Sequence, residues 1–282
     1  MPTGAQRLPI EWNLIMTLPD LKQLEAIVKP AAQEILVPGF GKLDYQYKAD
    51  GSIITAADKA MQNRLDHELR NAWPAYAILG EEMTKERQHA AMSNQAGYWC
   101  VDPLDGTNNY ATGMPFFAVS LALIVNNQQM LGFIYDPMRD EVFAAIKGKG
   151  AILNDMPLRC TPNKTEIKRA IAEIDMKRLP RQLSIRLINE EPFSSQRNIG
   201  SSALDWCWLA ACRYNIYLHG GQKPWDYAAG NLILHEAGGQ SISLDGDPVF
   251  TGRYEDRSVL ASLDDSLFDY WKQWVGVPYH QR

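Results

Sequence analysis

The segment Tyr98 to Thr107, which reads Tyr-Trp-Cys-Val-Asp-Pro-Leu-Asp-Gly-Thr, joins an apolar run to a turn that carries two carboxylates. Tyr98 to Val101 has the length and character of a buried strand. Pro103 fixes φ and removes a backbone donor, so the turn is tight and aims Asp102 and Asp105 at one point. Asp-Pro and Asp-Gly pairs are also typical of solvated loops. Taken alone, the segment leaves a ligand site and a plain turn both open.

The chemistry of the ligand interpretation follows from charge. Two carboxylates held together repel each other, and a divalent cation relieves that repulsion at neutral pH. Ligand sets made only of oxygen select a hard ion such as Mg²⁺ over Zn²⁺. Gly106, Thr107 and Asn108 add exposed backbone N–H groups and a hydroxyl, a combination that holds anions. On this interpretation a Mg²⁺ site and a phosphate site adjoin.

Further acids stand at the ends of other predicted elements. Glu81 and Glu82 follow a predicted strand at 76–79, where side chains converge on a cleft. Asp226 stands near the start of a small-residue helix that Gly238-Gly239 ends. An aspartate there is either an N-cap or a metal ligand, and the sequence favours neither.

Periodicity predicts two helices before the 98–107 segment. Apolar residues at helical spacing mark the first over 21–35, with a kink at Pro30. Thr55 and Asp58 resemble a capping box that opens the second, which runs from 56 to Pro74. Further strands are predicted at 116–125, 132–135, 141–146, 216–218 and around 259–260, and further helices at 201–213 and 225–237.

These elements predict an α+β protein in two parts. Residues 1–155 are expected to form a half with helices and a mostly antiparallel sheet, and residues 156–282 a half in which α and β alternate. The boundary is placed there because charged and turn residues cluster at 159–169.

Bulk properties exclude several classes of protein. The 282 residues carry a net charge of −5 with basic residues scattered, so nucleic acid is not expected as the primary ligand. The longest apolar run, 116–125, is too short to span a membrane, and 1–18 lacks the pattern of a signal peptide. The four cysteines have no CxxC spacing and do not suggest a disulfide framework. A cytoplasmic protein without a membrane partner is therefore predicted.

Three motifs in a fixed order carry more weight than any one of them. They are Gly80-Glu81-Glu82, then Trp99-x-x-Asp102-Pro-Leu-Asp105-Gly-Thr107-x-Asn109-Tyr110, then Trp225-Asp226-x-Ala-Ala-Gly230 with Glu236-Ala-Gly-Gly. Together with Lys48-x-Asp50-x-Ser52 and Thr55-x-x-Asp58, they resemble the signature of the inositol monophosphatase family between Lys48 and Gly239. The resemblance implies alternating helix and sheet layers, a homodimer, and hydrolysis of a small phosphorylated metabolite.

The resemblance also implies roles for single residues. Glu81, Asp102 and the Leu104 carbonyl would bind one Mg²⁺, and Asp102, Asp105 and Asp226 a second. Glu82 and Asp58 would lie in the outer coordination sphere or on a third ion. Catalytic roles would fall to Asp58, Thr107 and Glu81, with Thr107 and Asp58 orienting the attacking water. The implied substrate-binding residues are Gly106, Thr107, Asn108, Ser201, His219 and Asp226.

Substrate choice is where the sequence departs from the family. An acidic residue often stands near the end of the strand before the Trp-Asp motif, but His219 occupies that position here. His219 is either a substrate contact or a rim histidine, and Ser201 either caps a helix or touches substrate. Inositol-1-phosphate is the default substrate, with fructose 1,6-bisphosphate, nucleoside 3',5'-bisphosphate and histidinol phosphate as alternatives. A regulatory binding protein with a vestigial site is the competing class.

Overall fold

The computed structural model describes residues 18–49, 51–160 and 165–280. Their N-terminal part contains four helices and nine strands. They are α1 Leu21–Ile35, β1 Tyr45–Tyr47, β2 Ile53–Thr55, α2 Ala56–Ala72, β3 Ala77–Gly80, α3 Lys85–Met92, β4 Tyr98–Asp105, α4 Thr107–Thr112, β5 Ala118–Val125, β6 Gln128–Asp136, β7 Glu141–Ile146, β8 Gly150–Leu153 and β9 Met156–Pro157. Asp50, which belongs to one of the family motifs, lies outside the described residues.

The C-terminal part of the described chain contains four more helices and five more strands. They are β10 Ile171–Asp175, α5 Arg181–Glu190, β11 Ser195–Arg197, α6 Ser202–Ala210, β12 Ile216–Gln222, α7 Pro224–Glu236, β13 Gln240–Ile242, β14 Arg257–Ser262 and α8 Asp265–Val275. None of the helices in the described ranges is long and apolar enough to cross a membrane.

Two sheets organise the molecule. The first has seven strands in sequential order from β3 to β9, and only the β3–β4 pair is parallel. The second has five strands in the order β11-β10-β12-β14-β13, with β10 parallel to both β11 and β12. A small hairpin, β1–β2, stands apart from both.

Burial on both faces explains why β5 is apolar throughout. Val119, Leu121 and Leu123 pack with α1 and α2, while Ala122 and Ile124 pack with α6 and α7 on the opposite face. Alternate residues of a strand point to opposite faces, so a strand between two helix layers has no solvated side.

The helices and sheets alternate through five layers. α1 and α2 cover the outer face of the first sheet, and α6 and α7 fill the space between the two sheets. α5 and α8 cover the outer face of the second sheet, against side chains such as Ile216 and Leu260. The predicted α+β fold of alternating helix and sheet layers is confirmed.

One prediction about the cysteines is wrong. Cys160 and Cys212 form a disulfide with 6.1 Å between their Cα atoms, and it joins the segment after β9 to the end of α6. Cys100 and Cys207 are buried and free. The pair was not foreseen because the two residues are 52 positions apart and only the fold brings them together.

Candidate active site

An irregularity in β4 places the two carboxylates of the 98–107 segment on one side of the sheet. In a regular strand, residues three apart point to opposite faces. Here Asp102 pairs with Ser120 and Asp105 with Ala118, so three steps along β4 match two along β5. Such a bulge re-aims a side chain. Asp102 and Asp105, both buried, therefore face the same cleft.

Asp105 is held from the C-terminal part of the chain. Its Oδ2 accepts hydrogen bonds from the Ser201 hydroxyl and from the Ala203 N–H, the latter at 2.8 Å. The Asn109 side-chain amide donates to the carbonyl oxygens of Ile199, at 2.6 Å, and of Phe116, at 2.8 Å. Asn109 thereby fastens α4 to the segment that leads into Ser201.

Asp226 comes from the first turn of α7. It is the third helical residue and not the N-cap, which is Lys223, and its Oδ2 accepts the Lys223 N–H at 2.8 Å. The Ser120 hydroxyl donates to the Trp225 carbonyl at 3.1 Å and so ties this turn to β5. Asp226 therefore accepts a backbone N–H at the start of α7 and also lies beside Asp102 and Asp105.

The three aspartates form one cluster. One carboxylate oxygen from each of Asp102, Asp105 and Asp226 lies within 4.8 Å of the other two. Burial, together with the charges of Glu81, Asp105 and Asp226, raises the pKa of Asp102 well above its usual range. Burial raises the pKa of Asp105 to about 6. Burial and the charge of Asp105 raise the pKa of Asp226 as well.

These properties fit a hard divalent cation. Carboxylates that are buried and repel each other either take up protons or bind a positive ion. The cluster offers oxygen ligands only, which suit Mg²⁺ better than Zn²⁺. Asp102, Asp105 and Asp226 are the residues that the structure brings together for such an ion.

Lys48 links the acids that follow β3. Its Nζ lies 2.8 Å from Glu81 Oε1 and 2.6 Å from Glu82 Oε1. Burial alone would lower the pKa of Lys48, but the charges and hydrogen bonds of the two glutamates outweigh burial and raise it. Glu81 lies outside the group of three aspartates, yet its charge reaches Asp102.

Thr107 and Asp58 lie beside the turn that carries Asp102 and Asp105. The Thr107 Oγ1 lies 3.0 Å from Asp58 Oδ1 and 3.0 Å from the Leu104 carbonyl oxygen. Asp58 Oδ2 accepts the N–H of Thr55 at 2.7 Å and its hydroxyl at 2.6 Å. The predicted capping box of α2 is confirmed, and its acid also holds the Thr107 hydroxyl.

The start of α4 is set by the left-handed conformation of Gly106. Gly106 has φ +90°, and a Cβ there would lie 2.8 Å from the Phe116 carbonyl oxygen, so only glycine fits. Thr107 is half-buried and Asn108 is exposed, while the amide that contributes structural bonds belongs to Asn109. The first N–H groups of α4 have no partner inside the helix.

Two predicted substrate contacts are engaged within the protein. Ser201 caps α6 by accepting the Leu204 N–H, and its hydroxyl also donates to Asp105. His219 does not lie on a rim, because it is only 4% exposed. Its Nε2 lies 3.3 Å from Asp175 Oδ2, and its Nδ1 accepts the Gly221 N–H.

Comparison with known proteins identifies the relatives of this chain. The sequence model of the inositol monophosphatase family matches residues 19–273. The chain belongs to the inositol monophosphatase family. It is 36% identical to Nus factor SuhB of Haemophilus influenzae over 203 residues, covering 70% of this chain and 74% of that protein. It is 35% identical to inositol monophosphatase 1 of Solanum lycopersicum over 215 residues, covering 74% of this chain and 78% of the relative.

A solved structure shows the same architecture. The extragenic suppressor protein suhB of Bartonella henselae superposes with a TM-score of 0.77 at 28% identity, covering 89% of this chain and 96% of that chain. Membership of the inositol monophosphatase family supports a Mg²⁺-dependent phosphatase as the general class of the protein.

Three residues of the site had no role in the sequence analysis. Lys48 belongs to a family motif. It is also a possible ion-pair partner of Glu81 and Glu82, which follow it by 33 and 34 positions. Asn109 was quoted in the family motif without a function. Asp175 was missed because the strand that carries it, β10, was not predicted.

Proposed function

We propose that this chain hydrolyses phosphomonoesters of small metabolites in a reaction that requires Mg²⁺. The observation that carries the proposal is the convergence of Asp102, Asp105 and Asp226 from two separate motifs within 4.8 Å. Neither a cap nor a solvated turn needs three carboxylates at one point, two of them buried, because their mutual repulsion is unfavourable without a cation.

The ligands of the metal would be Glu81, Asp102, the Leu104 carbonyl, Asp105 and Asp226. Bound Mg²⁺ would supply positive charge for the transferring phosphoryl group and lower the pKa of water at the site. The carboxylates fix where that charge lies, and Ser201 and Lys223 hold two of them in place through hydrogen bonds. Lys48 holds Glu81 and Glu82 at the edge of the site.

Thr107 and Asp58 would orient the attacking water. Asp58 accepts the Thr107 O–H at 3.0 Å, which leaves the lone pairs of the Thr107 hydroxyl to accept a hydrogen bond from water. Asp58 is itself fixed by Thr55 at the start of α2. The backbone N–H groups at Gly106, Thr107 and Asn108 would bind the phosphate oxygens.

The default substrate is inositol-1-phosphate, as the family implies. Fructose 1,6-bisphosphate, nucleoside 3',5'-bisphosphate and histidinol phosphate are the alternatives, because the shared motifs would bind metal and phosphate and do not select the leaving alcohol. A homodimer in the cytoplasm, with neither nucleic acid nor a membrane as its primary partner, completes the proposal.

The test is Mg²⁺-dependent release of inorganic phosphate from these four compounds. We expect turnover of at least one of them, abolished by a chelator and restored by added Mg²⁺. The Asp105→Asn variant is the matched control, since it keeps the volume of the side chain and removes one charge from the cluster.

A regulatory binding protein with a vestigial site is the second candidate function. Relatives that carry the name Nus factor SuhB favour it. A folded, Mg²⁺-loaded protein that releases phosphate from none of the four compounds would support this candidate and contradict the first.

A further inference from the structure

The carboxyl ends of β10 and β12 lie side by side next to the aspartate cluster. The two strands are parallel, and their register pairs Asp175 directly with His219. β12 leads through Lys223 into α7, whose first turn carries Asp226. Ligands of α/β sheets bind outside the carboxyl ends of parallel strands. Asp175 and His219 therefore stand at the edge where the leaving group of a substrate at the cluster would lie.

His219 has no ring nitrogen left for a ligand. Its Nδ1 lies 3.1 Å from the Gly221 N–H and accepts from it, so the ring proton is on Nε2. That Nε2–H faces Asp175 Oδ2 at 3.3 Å. Burial lowers the pKa of His219, which keeps the ring neutral in this tautomer at neutral pH. The hydrogen bond from His219 therefore goes to the Asp175 carboxylate.

Asp175 has the exposure that His219 lacks. Its side chain is 19% exposed against 5% for His219. Its Oδ1 accepts the Lys177 N–H at 3.0 Å, and Arg178 Nε lies 3.4 Å from Oδ2. Each carboxylate oxygen accepts more than one hydrogen bond, so Oδ1 of this partly exposed side chain retains acceptor capacity.

Close backbone packing holds the loop after β10 against the end of β12. A Cβ at Gly220 would overlap the Arg178 carbonyl oxygen, so only glycine allows the loop after β10 to lie against β12. Arg178 also donates to the Gly221 carbonyl at 3.3 Å. The charge of Arg178 reaches Asp226, where it acts to lower the pKa of that carboxyl. Because β12 leads directly into α7, this loop and Asp226 lie at the same end of β12.

We propose that Asp175 determines substrate specificity by accepting a hydrogen bond from a hydroxyl group of the leaving alcohol, and that His219 positions its carboxylate. The proposal rests on the proposed phosphatase function and deepens it. The substrate class is the phosphomonoester of a polyol, an alcohol with at least one further hydroxyl. If the remaining lone pair of this partly buried carboxylate finds no donor in the leaving group, binding is weaker, so substrates whose alcohol lacks a further hydroxyl are disfavoured.

The experiment compares two substrates on the Mg²⁺-loaded full-length protein. Inositol-1-phosphate has hydroxyl groups on its leaving alcohol, and p-nitrophenyl phosphate has none. The measured quantity is the ratio of kcat/KM for the first compound to kcat/KM for the second. A hydrogen bond to a charged group contributes about 1.5–3 kcal/mol, so Asp175→Ala should lower the ratio at least about tenfold. Asp269→Ala, an exposed aspartate of α8, should leave the ratio unchanged.

Two further variants separate positioning from packing. His219→Leu should lower the ratio, and His219→Gln, which keeps an N–H donor, should restore part of it. In the Asp175→Ala background, His219→Leu should have no further effect on the ratio, because the residue that it positions is gone. An equal loss in both backgrounds would contradict the positioning role.

The outcomes keep this proposal distinct from the phosphatase proposal. If the wild-type protein releases phosphate neither from p-nitrophenyl phosphate nor from any of the four compounds of the proposed function, that function fails. If it hydrolyses both and folded Asp175→Ala keeps the wild-type ratio, the specificity role is overturned while the phosphatase stands. Should the Ala variant not fold, Asp175→Asn keeps the volume, and its ratio should fall at least about threefold because a charged acceptor becomes neutral. An unchanged ratio in folded Asp175→Asn would also overturn the role.

Discussion

At the scale of single residues, the site is governed by carboxylates whose charges the fold does not neutralise by itself. Asp105 receives hydrogen bonds from Ser201 and Ala203, yet burial still raises its pKa to about 6. Burial and the neighbouring carboxylates also raise the pKa of Asp102 and the pKa of Asp226. The metal-free protein must therefore carry unfavourable charge or take up protons, and cation binding relieves both.

The Asp105→Asn variant tests whether the charge of this cluster holds the metal ion. We expect kcat to fall at least about a hundredfold at saturating Mg²⁺, because the variant removes one charge from a site that holds a divalent ion. Thermal unfolding in the presence of a chelator should show no loss of stability, since repulsion within the cluster is reduced. Wild-type activity in the variant would contradict the metal assignment.

Glu173 predicts a pH dependence of stability. It is fully buried, and burial together with the charge of Asp175 raises its pKa to about 8. Between about pH 4.5 and 8 the folded state holds a proton that the unfolded state has lost. The free energy of unfolding must therefore fall as pH rises, by up to about 1.4 kcal/mol per pH unit for this group.

The Glu173→Gln variant isolates that contribution. Denaturant unfolding at several pH values between 5 and 8 should give a shallower decline than in the wild-type protein. Glu190→Gln, at an exposed surface ion pair with Arg186, is the control and should keep the wild-type slope. A Glu173→Gln slope equal to the wild-type slope would show that Glu173 is ionised in the folded protein.

At the scale of elements, the start of α2 combines stability with chemistry. The Asp58 carboxylate completes the capping box with Thr55 and also accepts the Thr107 hydroxyl. A carboxylate in the first turn stabilises a helix by about 0.3–1 kcal/mol, which is small beside a catalytic effect. One side chain thus connects the outer helix layer with the turn that follows β4.

Asp58→Asn distinguishes the two roles. The amide keeps a hydrogen-bonding oxygen and the size of the side chain, so the melting temperature should change little. We expect kcat to fall at least about a hundredfold, the scale of lost acid–base assistance. Both quantities should be measured on one preparation. If stability falls and kcat per folded molecule is unchanged, Asp58 acts only as a helix cap.

The close packing of α7 on the first sheet also limits which residues can stand at their contact. A Cβ at Gly132 of β6 would lie 2.7 Å from the Ala229 carbonyl oxygen, so the helix packs directly on the strand backbone. Gly132→Ala should displace α7 and with it Asp226. We expect a loss of about 1–3 kcal/mol in stability and weaker Mg²⁺ activation, measured by denaturant unfolding and by the Mg²⁺ concentration for half-maximal activity. An unchanged Mg²⁺ requirement would show that Asp226 is positioned independently of this contact.

Elements with a clear pattern over a few neighbouring residues were predicted, and elements without such a pattern were missed. β4, β5 and α2 carry apolar periodicity or a capping box within a few residues, and all were predicted. β10 reads Ile-Ala-Glu-Ile-Asp, and its two acids interrupt the apolar run, so it was missed although it carries Asp175. α6 was expected to reach about Arg213 but ends at Ala210.

The residues of the site divide in the same way. Glu81, Asp102 and Asp226 stand in three short motifs, and the order of these motifs along the chain makes them recognisable. The bonds from Lys48 to Glu81 and from Asp175 to His219 join distant positions through strand ends and register. Contacts of that kind follow from the packing of elements, and one sequence does not encode them locally.

At the scale of the whole molecule, the disulfide closes a loop that contains two of the five strands of the second sheet, β10 and β11. Cys160 and Cys212 are 52 positions apart, and the chain between them includes β10, which carries Asp175, and α6, whose N-cap is Ser201. The disulfide joins the segment after the first sheet to the helix layer between the sheets. Its state should therefore affect the stability of the C-terminal part more than the geometry of the cluster.

The last prediction concerns this bond. Without reductant, the unfolded protein should expose two alkylatable thiols, those of Cys100 and Cys207, and four after reduction. A crosslink restricts the unfolded chain, so reduction should lower the free energy of unfolding by about 2–4 kcal/mol. Activity per folded molecule should persist, because Asp105 keeps its bonds to Ser201 and Ala203 in the reduced fold. Cys160→Ser should reproduce the stability loss without reductant, while a count of four thiols in the unreduced wild-type protein would show that the bond does not form.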